Sequence, residues 1–160
     1  MGVQIGTRDE LMVAMDGAIQ AREPARLLAI FRLAGYRDFT FRFGDSAIDA
    51  TATSVAEHLP AGDELSTFYY RPREDELCLL VEGRLEAVEP ALSAAAHELD
   101  DELGPDGIAI GHATATLPLG THTLIESLRY VDGRIADANG RAMPRSYRTD
   151  FMTLRGNRPG

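Results

Sequence analysis

At 160 residues, with 44% hydrophobic and 26% charged side chains, the chain has the length and composition of one globular domain able to bury a core. Its net charge of -9 excludes a general nucleic-acid binder, because a phosphate backbone would be repelled. The single cysteine, Cys78, excludes a disulfide framework and a thiolate metal cluster, and no charged-then-apolar leader or bilayer-length apolar run is present, so a soluble, cytoplasmic protein with no membrane partner is expected.

Thr7-Arg-Asp-Glu10 has the spacing of a capping box, and Leu11, Met15, Ala18 and Ile19 recur on one face, which predicts a helix to about Arg22, before Pro24. Leu27-Leu-Ala-Ile-Phe31 is nearly continuous apolar sequence, as a central strand covered on both faces requires. Gly44-Asp-Ser46 opens a second helix with Ile48, Ala52, Val55 and Leu59 inward, closed by Pro60-Ala-Gly62. Phe68-Tyr-Tyr70 and Leu77-Cys-Leu-Leu-Val81 flank the charged segment Arg71-Pro-Arg-Glu-Asp-Glu76, a pattern that predicts an antiparallel hairpin with Asp75 and Glu76 starting its second strand. Strand alternation then sends these two acids to opposite faces.

Leu85, Val88, Leu92, Ala95 and Leu99 form the stripe of a long helix that Gly104-Pro105 ends. Ile108 to Leu117 reads as a strand, Pro118-Leu-Gly120 as a turn, and Leu124, Leu128, Val131 and Ile135 as a last helix ending at Asn139-Gly140. From Arg141 onward there are five arginines (141, 145, 148, 155 and 158) against one acid, Asp150. Residues 142–160 are therefore expected to form a basic tail, with an edge strand over 147–154 at most and a loose end. All sixteen basic residues are arginine, a bias typical of a GC-rich bacterial genome. The order helix, strand, helix, strand, strand, helix, strand, helix predicts an α+β fold of the ferredoxin-like palm type, with a central antiparallel sheet and helices on both faces.

Several segments, in order along the chain, resemble a GGDEF domain, the diguanylate cyclase fold. Val3-Gln-Ile-Gly-Thr-Arg-Asp-Glu-Leu11 is similar to the family's approach to its first helix. Phe31-Arg-Leu-Ala-Gly-Tyr-Arg37 is similar to its Asp-x-Asp-x-Phe-Lys, and Phe43-Gly-Asp-Ser-Ala-Ile-Asp49 to its Tyr-Gly-His-x-x-Gly-Asp. Arg73-Glu-Asp-Glu-Leu77 stands where the signature hairpin would be; Ile110-Gly-His-Ala113 and Asn139-Gly-Arg141 follow in register. The resemblance implies a GGDEF-type domain over residues 1–141, set in cyclic di-GMP signalling.

It also implies a degenerate active site. In the family a metal is held by the first Asp of Asp-x-Asp and by the acidic third residue of the hairpin signature. Here Asp75 keeps the hairpin position, with Glu76 after it, while Arg32 and Ala34 replace the strand acids. A permanent positive charge where Mg²⁺ would sit opposes cation binding. Arg73 and Glu74 replace the two glycines that admit a phosphate close to the backbone. Thr40 falls on the guanine-contacting Asn and Phe41 on the acid that follows it, Asp137 falls on a phosphate-contacting Lys, and Asp49 and Arg141 match the family. Asp49 is read equally as a first-turn acid complementing a helix dipole, and Arg141 as a solvated charge. Glu64-Leu-Ser-Thr67 lacks the family's inhibitory Arg-x-x-Asp, and His58, His97, His112 and His122 show no metal-ligand spacing.

The expected function is therefore a non-catalytic regulatory or protein-interaction module without metal or other cofactor, working with a second protein or as a homodimer. Two alternatives stay open. One is a sensor that binds GTP or cyclic di-GMP through Asp49, Thr40 and Arg141 without turnover. The other is a cyclase-like enzyme with an altered site, which alone would need Mg²⁺. A last expectation is geometric: Arg32 should contact Asp75 or Glu76, because a carboxylate deprived of its cation needs a partner.

Overall fold

The structure, a computed structural model, describes residues 3–61 and 64–143. Its elements are β1 (Ile5–Gly6), α1 (Arg8–Ala21), β2 (Arg26–Ala34), α2 (Tyr36–Phe43), α3 (Ser46–His58), β3 (Leu65–Arg73), β4 (Glu76–Gly83), α4 (Val88–Leu103), a single 3₁₀ turn (Gly104–Asp106), β5 (Ala109–Leu117), α5 (Leu124–Asp132) and β6 (Ala136–Asp137). The strands form one sheet in the order β1-β3-β4-β2-β5-β6. β1 runs parallel to β3 and every other pair is antiparallel. This is the α+β sheet with helices on both faces that the pattern of elements predicts.

β2 is the axis of the fold. Its residues Leu27 to Leu33 are all buried, because β4 and β5 flank it and helices cover both faces. Alternation divides its side chains. Leu27, Ala29, Phe31 and Leu33 face the core under α2, α3 and α4, together with Leu77, Leu79, Ile108 and Ile110. Leu28 and Ile30 face the smaller core under α1 and α5, together with Cys78, Leu80, Leu11, Met15, Leu128 and Val131. Burying one such Leu or Phe contributes about 1.5–3 kcal/mol, so the two cores carry the fold. Among the described residues, no helix is long and apolar enough to cross a membrane.

Local chemistry sets the helix ends. The Thr7 capping box forms: Glu10 N–H donates to Thr7 Oγ1 (3.2 Å) and Thr7 N–H to Glu10 Oε1 (2.9 Å). Thr123 and Glu126 build a second at the start of α5, with distances of 3.2 and 2.8 Å.

The structure corrects the sequence reading in three places. Residues 36–43 form a helix that the pattern did not reveal, bounded by Gly35 and Gly44, both at φ 88°. Gly35 is indispensable at its bend, since a Cβ there would lie 2.3 Å from the Gly107 carbonyl oxygen. The hairpin turn is only Glu74-Asp75, and the strands run on through Arg71 and Arg73. Pro72, which has no N–H to give a ladder, sits where the β3–β4 register shifts between Tyr70 and Arg73. The last helix stops at Asp132; Ile135 lies beyond it, and Asn139-Gly140 belongs to the turn after β6, with Gly140 at φ 78°. Ala142 and Met143, where the basic tail is expected to begin, are seated on the fold. Ala142 bridges to Ala136, Met143 N–H donates to the Ile135 carbonyl (2.8 Å), and the Met143 side chain packs on the α1/α5 core. The edge strand expected over 147–154 and the basic excess beyond Met143 lie outside the described residues.

Candidate functional site

The hairpin tip and the end of β2 are placed by register. Arg32 pairs with Glu76 across the β2–β4 ladder, and both follow the alternation of their strands onto the α1/α5 face. Facing residues on neighbouring strands stand close enough for direct contact. The Arg32 Nε donates to Glu76 Oε2 at 2.9 Å, and one terminal nitrogen donates to the same oxygen. That nitrogen also reaches Asp132 Oδ1 at 2.7 Å, and the other terminal nitrogen donates to the Met143 carbonyl at 2.6 Å. Arg73 completes the group from the rim, its Nε 3.6 Å from Glu76 Oε1.

Two guanidinium groups and two carboxylates thus meet, and the inner three are almost wholly removed from water: Arg32 is 4% exposed, Asp132 5% and Glu76 0%. The inner three carry one positive charge against two negative, and Arg73 at the rim brings the second positive charge that evens the group. Burial works against the Arg32 charge, but Glu76 and Asp132 outweigh it and hold its pKa above the ordinary value. Cys78, two residues along β4, is pushed well up by burial and by the Glu76 charge, against a smaller opposing effect of Arg32, so it is an inert core thiol.

The other side of the tip is open. A cleft of about 680 Å³ is lined by Leu33, Gly35, Tyr36, Arg37, Asp38, Arg73, Glu74 and Asp75. Its walls are joined by backbone and side chain. Leu33 N–H donates to the Asp75 carbonyl at 2.8 Å. An Arg71 terminal nitrogen donates to the Tyr36 hydroxyl at 2.6 Å and to the Glu74 carbonyl at 3.2 Å, with its guanidinium 5.5 Å from the centre of the Tyr36 ring. The cleft therefore mixes two arginines, Arg37 and Arg73, with three acids, Asp38, Glu74 and Asp75.

The residues singled out from sequence separate accordingly. Arg73, Glu74 and Asp75 line the cleft. Leu77 is fully buried under α2–α4 and Glu76 on the opposite face, so neither reaches it. Of the two hairpin acids named for Arg32, Glu76 is the one it grips. Thr40 lies on α2 with its hydroxyl buried and without a hydrogen-bond partner among the described residues. Asp49 is exposed in the first turn of α3, and Arg141 is exposed after β6; neither lines the cleft. Asp137 shapes the turn from β6 to Arg141, its Oδ1 accepting from the Asn139 and Arg141 amides, both at 2.9 Å. The proposed nucleotide contacts Asp49, Thr40 and Arg141 are thus not gathered on this cleft.

Asp132 and Met143 were missed. Asp132 carried a signal: it falls on the buried stripe of α5, four residues after Leu128, and at a helix C-terminus where an acid is disfavoured. An acid in that place calls for a cation. The Met143 carbonyl had no signal, since any residue supplies one.

The fold family implies Mg²⁺ here, and the donor set does not fit it. Glu76 and Asp132 are engaged by Arg32, and among the described residues no three His, Cys, Asp or Glu side chains come together as a cation site would need.

No family model matches the sequence, and no curated protein is significantly similar to it. Solved structures do match by fold. The GGDEF domain of DgcB from Caulobacter crescentus, in complex with c-di-GMP, superposes with a TM-score of 0.59 at 15% identity, covering 89% of this chain and 91% of that one. The GGDEF domain of PA1120 from Pseudomonas aeruginosa gives 0.57 at 15% identity, over 81% and 86%. The diguanylate cyclase SiaD from the same organism, in complex with its activator SiaC, gives 0.58 at 14% identity, over 80% of this chain and 52% of that one. The chain has a GGDEF-like fold.

Proposed function

We propose that this chain is a GGDEF-like regulatory domain of cyclic di-GMP signalling that does not make the dinucleotide, and that it acts by presenting its hairpin tip and cleft to another protein. The observation that carries this reading is the Arg32 network. The strand-end position that resembles a metal-ligand position holds a guanidinium, and that guanidinium engages Glu76 and Asp132. Phosphoryl-transfer chemistry of this kind depends on cations to offset triphosphate charge. With Arg37 and Arg73 beside Asp75, the cleft offers a cation little net attraction.

A second reading is favoured by the cleft itself. Its volume lies within the range of small-molecule sites, and its two arginines suit a phosphate. The DgcB domain of like fold is in complex with c-di-GMP, while SiaD is in complex with its activator, so ligand and protein partners both have a counterpart in this fold. Calorimetry with GTP and with cyclic di-GMP, each with and without Mg²⁺, separates the readings. Silence throughout supports the protein-interaction module. Heat with either nucleotide that is indifferent to Mg²⁺ supports the sensor, and GTP binding that requires Mg²⁺ overturns both.

A further inference from the structure

Arg32 does more than neutralise Glu76. Its terminal nitrogens also hold α5, through Asp132, and the segment after β6, through the Met143 carbonyl. That segment is seated with care. Met143 N–H donates to Ile135, Ala142 bridges to Ala136, and the Met143 side chain lies over Gly111 of β5, where an added Cβ would come within 2.7 Å of its sulfur. Gly111 is also the β5 partner of Arg32. The next residue of β2, Leu33, donates its N–H to the Asp75 carbonyl at the hairpin tip. From Met143 to the cleft wall the chain of contacts is therefore unbroken: Met143 to Arg32, Arg32 to Glu76, and β2 to the Asp75 backbone.

We propose that Arg32 is a latch through which the segment of Ala142 and Met143 controls the hairpin tip. With Met143 seated, the guanidinium is fixed between three partners and holds Glu76, so the tip is rigid and the cleft keeps its shape. When the segment is drawn away, the guanidinium loses one anchor inside a dry site. The Glu76 side of the hairpin then loosens, and the Leu33–Asp75 bond opens with it. This is a conformational device that links the segment after β6 to the cleft, and it does not depend on whether the cleft takes a protein or a nucleotide. Arg32 acts here as a positioning residue.

The test uses the full chain and amide hydrogen exchange. Met143→Pro removes the N–H given to Ile135 and unseats the segment without altering the hairpin. The latch predicts that the Leu33 amide exchanges at least about tenfold faster, while the Leu28 and Leu80 amides, at the far end of the same strands, keep their rates. Arg32→Lys retains the charge but replaces the guanidinium fork by a single nitrogen that cannot span Glu76, Asp132 and the Met143 carbonyl together, so in that background Met143→Pro should change the Leu33 rate by less than about twofold. Met143→Ala, which keeps the backbone donor and acceptor, should leave Leu33 near its native rate. An unchanged Leu33 amide in Met143→Pro, equal acceleration in both backgrounds, or acceleration shared with Leu28 and Leu80 overturns the proposal.

Discussion

Asp75 and Glu76 are neighbours with the same charge, yet the hairpin gives them opposite fates. Asp75 sits at the turn, partly exposed, on the wall of an open cleft that also holds Arg37 and Arg73. Glu76 is the first residue of β4 and is wholly buried against Arg32, on the face covered by α1 and α5. One side of the tip is open and the other is sealed. The difference teaches that a carboxylate pair in sequence is not a pair in space. Here the strand begins at Glu76 and turns it away from the cleft, and the cation that Glu76 then needs is drawn from the protein itself, in Arg32.

The comparison of faces is tested first by cavity formation. Phe31 and Arg32 are adjacent and point to opposite cores. Phe31→Ala empties the α2–α4 core and should cost about 3–5 kcal/mol in urea unfolding. Glu76→Ala, which strands Arg32 with Asp132 alone, should cost about 3 kcal/mol, whereas Asp75→Ala should cost under about 1 kcal/mol. Equal losses from the two acids would end the distinction. The sharper version removes the network whole: Arg32→Met with Glu76→Leu and Asp132→Leu should recover most of the Glu76→Ala loss, coming within about 2 kcal/mol of the native chain, because well-packed apolar groups replace a desolvated ion cluster at little net cost.

Effects at the helix starts are smaller. Thr123→Ala removes the acceptor for the Glu126 amide and should lower stability by about 1 kcal/mol. The Glu126 carboxyl is held below its ordinary range chiefly by the backbone hydrogen bond at Thr123, as the Glu10 carboxyl is by that at Thr7. A depressed carboxylate stabilises above its unfolded pKa and loses that contribution as pH falls through the folded one. Stability should therefore decline on acidification through the carboxylate range, less steeply in Glu10→Gln with Glu126→Gln. Among the smallest effects is that of His112, stacked 5.5 Å from Phe31. Burial first, and His97 second, lower its pKa from 6.5, against a weaker opposite pull of Glu89. The unfolded chain then takes up this proton first, so stability is full above about pH 6.5 and is lost as pH falls from there to the folded pKa. His112→Gln should remove that part of the slope.

Much of the molecule was legible because its long elements carry strong periodic signals. The continuous apolar run of β2, the stripes of α1, α3 and α4, and the Phe68–Val81 hairpin all formed near their expected places. What was not legible has physical causes. β1 and β6 are two residues each, too short for any period, and exist only because β3 and β5 offer open edges. α2 was hidden because Phe39-Thr-Phe-Arg-Phe43 alternates like a strand, although Tyr36 and Phe39 at helical spacing are its buried face. In the site, antiparallel register brought Arg32 to Glu76, an encounter that strand alternation foreshadowed. The contributions of Asp132 and Met143 depend on tertiary approach across roughly one hundred residues of sequence, which no local pattern encodes.

The central claim is that a built-in guanidinium, engaging the carboxylates at the strand end, leaves this GGDEF-like fold without cyclase turnover. The most direct measurement is to incubate the purified protein with GTP and Mg²⁺ or Mn²⁺ and to separate the nucleotides by chromatography. The account predicts that no cyclic di-GMP forms, whereas product that disappears in Asp75→Ala would contradict it.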